Sequence, residues 1–94
     1  MLSLKQARVI DSVARCAELS RAAEQLNMSQ STVSRTLASA EKELGVTLFR
    51  RGWSGAEPTS EGEIVAVSCE KALRKIRNAE LQLGELAQGL PRLE

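Results

Sequence analysis

Residues 29–35 read Ser-Gln-Ser-Thr-Val-Ser-Arg, and within this run Gln30, Ser31, Thr32, Ser34 and Arg35 carry short or forked polar side chains. The apolar residues Val33, Leu37, Ala40 and Leu44 recur beside them at three- and four-residue spacing. On a helix these fall on one stripe and leave the polar set on another face. The polar types are those that read base edges: glutamine pairs with adenine, arginine with guanine, and serine or threonine with bases or phosphates. The free N–H groups at a helix start add affinity for phosphate. A protein-interaction module is the alternative reading, but an interface on this face would favour apolar anchors over Gln, Ser and Thr.

Enzyme chemistry has little to work with. The chain contains no histidine, so no imidazole acid, base or nucleophile activator is available. Cys16 and Cys69 form no CxxC pair, and without histidine a zinc site would need carboxylates to complete it. They read as small apolar residues in a reducing compartment, and neither a metal nor a cofactor is expected. No Gly-rich phosphate loop and no carboxylate dyad stands out. Phe49 and Trp53 are the only aromatics, too few for the base-stacking sheets that bind single-stranded RNA. No apolar run approaches a membrane span, no signal-peptide block opens the chain, and a cytoplasmic protein is expected. Net charge is only +1, but residues 1–53 hold eight Lys/Arg against five Asp/Glu, whereas residues 54–94 hold five against seven. The positive charge sits in the first half.

The polar cluster needs elements to position it. Ser3 with Gln6 fits a capping box, and Leu4, Ala7, Ile10, Val13 and Ala14 mark one face of a first helix that stops near Ala17. Ser20 is read as the N-cap of a short second helix ending at Asn27. Ser29 opens the third helix, and Gly45 ends it. Two short helices joined through Asn27-Met28-Ser29 form a helix-turn-helix, in which small residues Ala22 and Ala23 permit close packing. A short strand is expected over Val46, Leu48 and Phe49, a turn over 51–55, and a second strand around Ala56 to Pro58.

The last helix is expected to start at Thr59 or Ser60, where the Ser60/Glu63 pair also fits a capping box. Val65, Cys69, Ala72, Ile76, Ala79, Leu83, Leu86 and Leu90 follow at alternating spacings of four and three, a heptad seam. A rod of about 45 Å, at ~1.5 Å per residue, exceeds what so small a head can cover, which points to a partner helix. The fold class expected is mainly α: a winged helix-turn-helix of three helices and a two-stranded wing, followed by a long dimerisation linker helix. The head spans 1–58, the linker helix 59–90, and 91–94 form a tail.

The run Ser20-Arg21-Ala22-Ala23-Glu24-Gln25-Leu26-Asn27-Met28-Ser29-Gln30-Ser31-Thr32-Val33-Ser34-Arg35, with Leu37, Glu41 and Glu43 to Arg51, resembles the LysR-type transcriptional regulators. Pro58-Thr59-Ser60-Glu61-Gly62-Glu63 resembles the family's junction between wing and linker. The resemblance spans nearly the whole chain. It implies a transcription regulator whose linker helix pairs antiparallel with its twin, and a homodimer that binds double-stranded DNA at interrupted inverted repeats. It implies base contacts near Gln30, Ser31, Ser34 and Arg35, wing contacts near Arg50 and Arg51, and phosphate contacts near Thr59. Full-length members carry a C-terminal ligand-sensing domain, so a fragment or a shortened natural protein is expected, with no small-molecule ligand of its own. The chain departs from the family pattern at Ser31, usually Pro, at Ala17-Glu18, usually Gly-Ser, and at Trp53, in a wing usually built from Gly and Arg.

Several residues carry two readings. Arg50 and Arg51 either hold phosphates or guard an edge strand against aggregation. Trp53 is either a lid packed on the head or an exposed wing tip touching the minor groove. Arg21 is a surface charge or, close to a helix start, a phosphate contact. Ser29 is a cap whatever else it touches.

Overall fold

The computed structural model describes residues 1–53 and 55–89. Ser54, Leu90 at the end of the expected seam, and the 91–94 tail lie outside the described residues. The chain runs α1 (Leu4–Cys16), α2 (Leu19–Leu26), α3 (Gln30–Leu44), β1 (Phe49–Gly52), β2 (Gly55–Pro58) and α4 (Ser60–Ala87). It is mainly helical, with a two-stranded wing and a long final helix.

α1 is the hub, packing on α2, α3, α4 and β2. It starts with the capping box that Ser3 and Gln6 predict: Gln6 N donates to Ser3 Oγ at 3.1 Å and Ser3 N to Gln6 Oε1 at 2.7 Å. Val9, Ile10 and Val13 are fully buried against Ala22, Val33, Leu37, Ala40 and Leu48. Ile10 and Val13 lie on the stripe that the sequence spacing predicts, but Val9 joins them and Leu4, expected on that stripe, is exposed. Removal of this cluster from water is the main stabilising contribution to the head. Polar groups caught inside are satisfied: the buried Ser12 hydroxyl donates to Gln25 Oε1 at 2.6 Å. That bond ties α1 to α2.

Two boundaries differ from the sequence reading. Ser20 is not the cap of α2. α1 ends on Ala17 in the left-handed conformation (φ 60°), which turns the chain so tightly that Glu18 becomes the N-cap and Leu19 the first helical residue. The first strand begins later than Val46. Glu41 Oε2 accepts from Leu48 N at 2.7 Å and Phe49 N at 3.4 Å, so the segment before Phe49 is pinned to α3 rather than paired with β2. Pairing then runs antiparallel with Phe49 opposite Pro58, Arg50 opposite Glu57, Arg51 opposite Ala56 and Gly52 opposite Gly55. α4 begins where the sequence places it: of the two candidates Thr59 is the cap, its Oγ1 accepting from Gly62 N at 3.0 Å, and Ser60 is the first helical residue.

α4 does two things along its length. Its first turns dock on the head: Gly62 and Cys69 are buried, and Val65 and Ala66 pack against the core. Beyond Leu73 every described side chain of the helix is exposed. With 28 residues α4 is about 42 Å long at 1.5 Å per residue, and it makes the molecule elongated, 50 × 24 × 20 Å. The expected seam is therefore divided. Cys69 is 5% exposed and belongs to its own head, so it is withdrawn from any partner-facing surface. No helix among the described residues is long and apolar enough to cross a membrane.

Candidate nucleic-acid interface

The start of α3 is fixed from both sides. Behind it, Asn27 in the left-handed conformation (φ 55°) ends α2 and turns the chain into the short connection of the helix-turn-helix. In front, Ser29 Oγ accepts from Thr32 N at 3.1 Å and lies 2.8 Å from Thr32 Oγ1 and 3.2 Å from Ser31 Oγ. Val33, Leu37 and Ala40 are fully buried. With that stripe anchored, α3 cannot rotate, and Gln30, Ser31 and Arg35 project as exposed side chains with Thr32 and Ser34 half-buried beside them. The Arg35 guanidinium lies along Thr32, 3.5 Å from its Oγ1. The structure thus brings together all five polar residues of the cluster.

Sequence reasoning missed how far this face extends. Thr36 and Ser39 continue it along α3, and Ser39 Oγ accepts from Gln6 Nε2 at 3.3 Å, which reaches across from α1. The four- and three-residue steps from Thr32 to Thr36 to Ser39 were the available signal.

The wing stands beside this face. Strand alternation puts Phe49 and Arg51 on one side of β1 and Arg50 on the other. Phe49 is buried and Arg51 sits opposite the buried Ala56, so the Arg51 side is the one turned to the head. Its guanidinium donates to Ser34 Oγ at 3.0 Å. Arg50 sits opposite Glu57 on the outer side, where cross-strand neighbours of opposite charge offset one another. The adjacent arginines are not equivalent. Arg51 adds a positive charge to the α3 face, while Arg50 stands on the outer side of the hairpin in register with Glu57.

Trp53 caps the hairpin with its side chain fully exposed, which decides between its two readings: it is a wing tip, not a lid. Together with Gln30, Ser31, Ser34 and Arg51 it lines an open groove between α3 and the wing. Arg21 lies on α2, exposed, with its Nε 3.6 Å from Glu18 Oε2. Thr59 does not belong to this surface. It is buried, its hydroxyl donates to Thr47 O at 2.6 Å, and its N–H donates to Leu48 O at 2.9 Å, so both of its donors are spent on the wing-to-helix junction. A side-chain phosphate contact at Thr59 is therefore corrected to a structural cap.

Residues 4–63 match the family described as bacterial regulatory helix-turn-helix protein, lysR family. The chain belongs to the LysR family of bacterial regulators. Among relatives of this LysR-family chain, the "Probable HTH-type transcriptional regulator LrrA" of Synechococcus elongatus is 41% identical over 73 residues, 78% of this chain and 25% of that protein. The structure of the BenM DBD/catB site 1 DNA complex superposes with a TM-score of 0.84 at 26% identity, covering 92% of this chain and 97% of that one. The CbnR DBD–DNA complex shares the fold, with a TM-score of 0.80 at 24% identity over 92% of this chain and 99% of that one. The chain spans only a quarter to a third of the length of the relatives it matches. It carries the family's winged helix-turn-helix DNA-binding domain with the long helix that follows.

Proposed function

We propose that this LysR-family chain binds double-stranded DNA sequence-specifically, inserting the N-terminal half of α3 into the major groove, as the DNA-reading part of a transcription regulator. The observation that carries this reading is the two-sided character of α3. One side is locked by fully buried Val33, Leu37 and Ala40, and the other presents Gln30, Ser31, Ser34 and Arg35 with Arg51 joined to them through Ser34. A major groove about 12 Å wide admits a helix, and these side chains are base and phosphate ligands. Ser29 and Thr32 shape the helix start and supply hydroxyls within reach of the same phosphates, and Arg21 and Arg50 are outlying phosphate contacts, each tempered by a nearby carboxylate.

The active species in this reading is a homodimer on an interrupted inverted repeat, paired through the exposed part of α4. Ala72, Ile76, Ala79, Leu83 and Leu86 of the expected seam are all exposed. Ile64, Val67 and Leu81 are exposed too, at 70%, 53% and 61%, but Val67 and Leu81 fall on the other side of α4, so the continuous apolar stripe is the one from Ala72 to Leu86. A stripe of this size along one helix favours burial against a second copy. Two heads then sum their base contacts, which one small head needs for specificity. No small-molecule ligand is assigned to this part of the protein, and the cytoplasm is the proposed compartment.

A gel shift on genomic fragments at two salt concentrations tests the proposal. Discrete fragments that stay shifted at the higher salt are expected. Equal retardation of every fragment, lost together as salt rises, would reduce the protein to a non-specific polycation.

A further inference from the structure

The groove between α3 and the wing has a third wall. Glu18, Leu19 and Ser20, at the corner between α1 and α2, line it together with Gln30, Ser31 and Arg51. Two contacts hold that corner in place. Ala56 N donates to Ala17 O at 2.7 Å, which ties the corner to β2. A Cβ at Gly55 would run into that same oxygen and approach Glu18 Cγ to 3.3 Å, so a glycine is what lets the wing close this tightly on the corner. Glu18 therefore has a fixed backbone at the edge of the groove. Among the described residues that line the groove it is the one anion, and Arg51 is the one cation. Glu18 is the N-cap of α2, yet its side chain makes no capping hydrogen bond, so the helix gains no cap bond from it. What the carboxylate does meet is Arg21, in the first turn of α2, whose Nε lies 3.6 Å from Glu18 Oε2.

In a helix-turn-helix whose second helix lies in the major groove, the first helix crosses the phosphate backbone. Here the first helix is α2, and its start carries Glu18 and Arg21. A phosphate arriving there meets a like charge in Glu18 and, in Arg21, a guanidinium that is already paired. An exposed ion pair of this kind adds little to the stability of a fold. Its effect falls on the approaching polyanion instead. Sequence-independent affinity comes from phosphates neutralised by Lys and Arg with release of counterions, and a cation held by a carboxylate is one fewer for that purpose. In a chain of net charge +1, one guanidinium withheld is a large share of the attraction.

We propose that Glu18 is a brake on sequence-independent DNA binding: its carboxylate keeps Arg21 largely off the phosphates and so sets how tightly the head holds any duplex. This rests on the duplex-binding reading above. It concerns affinity for the backbone and leaves base reading by α3 unchanged.

The test compares the wild type with Glu18→Gln, Arg21→Ala and the double variant on two end-labelled duplexes. One is the duplex that the wild type enriches from a random-sequence pool, and the other is a scrambled duplex of the same length. Anisotropy of the label gives the Kd between about 50 and 200 mM KCl, and far-UV circular dichroism checks that each variant is folded. Glu18→Gln keeps the shape of the side chain and removes its charge. It should bind both duplexes more tightly, by a similar factor of severalfold at the lowest salt. Its log–log salt slope should be steeper by about 0.9, so that its advantage shrinks roughly threefold across that range. Arg21→Ala alone should scarcely move the slope, and added to Glu18→Gln it should return the slope to the wild-type value. A residue that merely shaped the corner would change stability and leave the slope alone. An unchanged slope for Glu18→Gln, a steeper slope that survives the addition of Arg21→Ala, or a full loss of about 0.9 from Arg21→Ala alone would overturn the assignment. Failure of the wild type to shift the anisotropy of either duplex would overturn the duplex-binding reading itself, and this inference with it.

Discussion

The Arg51 guanidinium donates to the Ser34 hydroxyl across 3.0 Å, joining the wing to the second turn of α3. The wing and the DNA-facing helix are therefore one surface. The neighbouring Arg50 points to the other side of the strand, opposite Glu57. Arg51→Ala should weaken duplex binding and make the log–log salt dependence shallower by about 0.9, one phosphate contact. Arg50→Ala should move the slope less. The Ser34→Ala and Arg51→Ala effects should couple by about 0.5–1 kcal/mol in a double-mutant cycle of binding free energies. Equal slope changes for the two arginines, with no coupling, would show that the two sides of β1 are alike to DNA.

Dimerisation through the exposed part of α4 is tested at Ile76, 44% exposed and midway along the stripe. Ile76→Glu would place carboxylates where two helices meet, with no partner for either charge. The wild type should sediment as a dimer at tens of micromolar, and the variant as a monomer with a folded head. Cys69 supplies a built-in control. Burial pushes its thiol up from the usual cysteine range, and the Asp11 carboxylate pushes it further in the same direction. A raised thiol contributes stability below the ordinary cysteine pKa and loses it as the pH climbs through the shifted value. Alkylation at pH 8 should therefore reach the half-buried Cys16 first and leave Cys69 protected in both the dimer and the Ile76→Glu monomer. Exposure of Cys69 in the monomer would return it to the partner-facing seam.

Two glycines of α4 should respond with opposite signs. A Cβ at Gly62 would drive into the Leu48 carbonyl, where the helix crosses the root of the wing, whereas at Gly84 it would meet open space. Gly62→Ala should cost about 1–3 kcal/mol through overpacking. Gly84→Ala should raise helix stability by roughly 0.5–1 kcal/mol. Urea denaturation followed by far-UV circular dichroism measures both, and a neutral Gly62→Ala would contradict the close crossing.

Glu41 holds the chain between α3 and the wing, one carboxylate oxygen accepting from two backbone N–H groups. Glu41→Ala leaves the Leu48 and Phe49 donors without that acceptor and should cost about 1.5–3 kcal/mol in the same denaturation experiment. Glu41→Gln keeps one acceptor oxygen and should lose less. If both variants melt with the wild type, water serves these donors equally well.

Much of this was legible in the sequence because local signals and tertiary packing agree. The Ser3/Gln6 box, the Ser29 cap, Asn27 and Gly45 sit where hydrogen bonding or backbone geometry confines the chain locally, and the stripe Val33, Leu37, Ala40 fixes which side of α3 faces outward. The misreadings fell where a long-range contact overrides a local pattern. Ser20 has a capping residue's chemistry, but the left-handed Ala17 starts α2 two residues earlier, with Glu18 as its N-cap. Thr59 resembles a family phosphate contact, but Thr47 and Leu48 take up both of its donors. Cys69 keeps the 4-3 rhythm of a coiled-coil seam, yet the rhythm cannot say whether the covering surface is a twin helix or α1 of the same chain.

The most direct measurement is selection of bound duplexes from a random-sequence pool, run in parallel with the wild type and Arg35→Ala. The wild type should enrich two inverted half-sites whose centres lie one or more helical turns of about 10.5 bp apart. Arg35→Ala should recover the same arrangement with preference relaxed at one position in each half-site, a loss of about 1–3 kcal/mol there. Enrichment of no motif by the wild type, or identical motifs from both proteins, would contradict base reading by the polar face of α3.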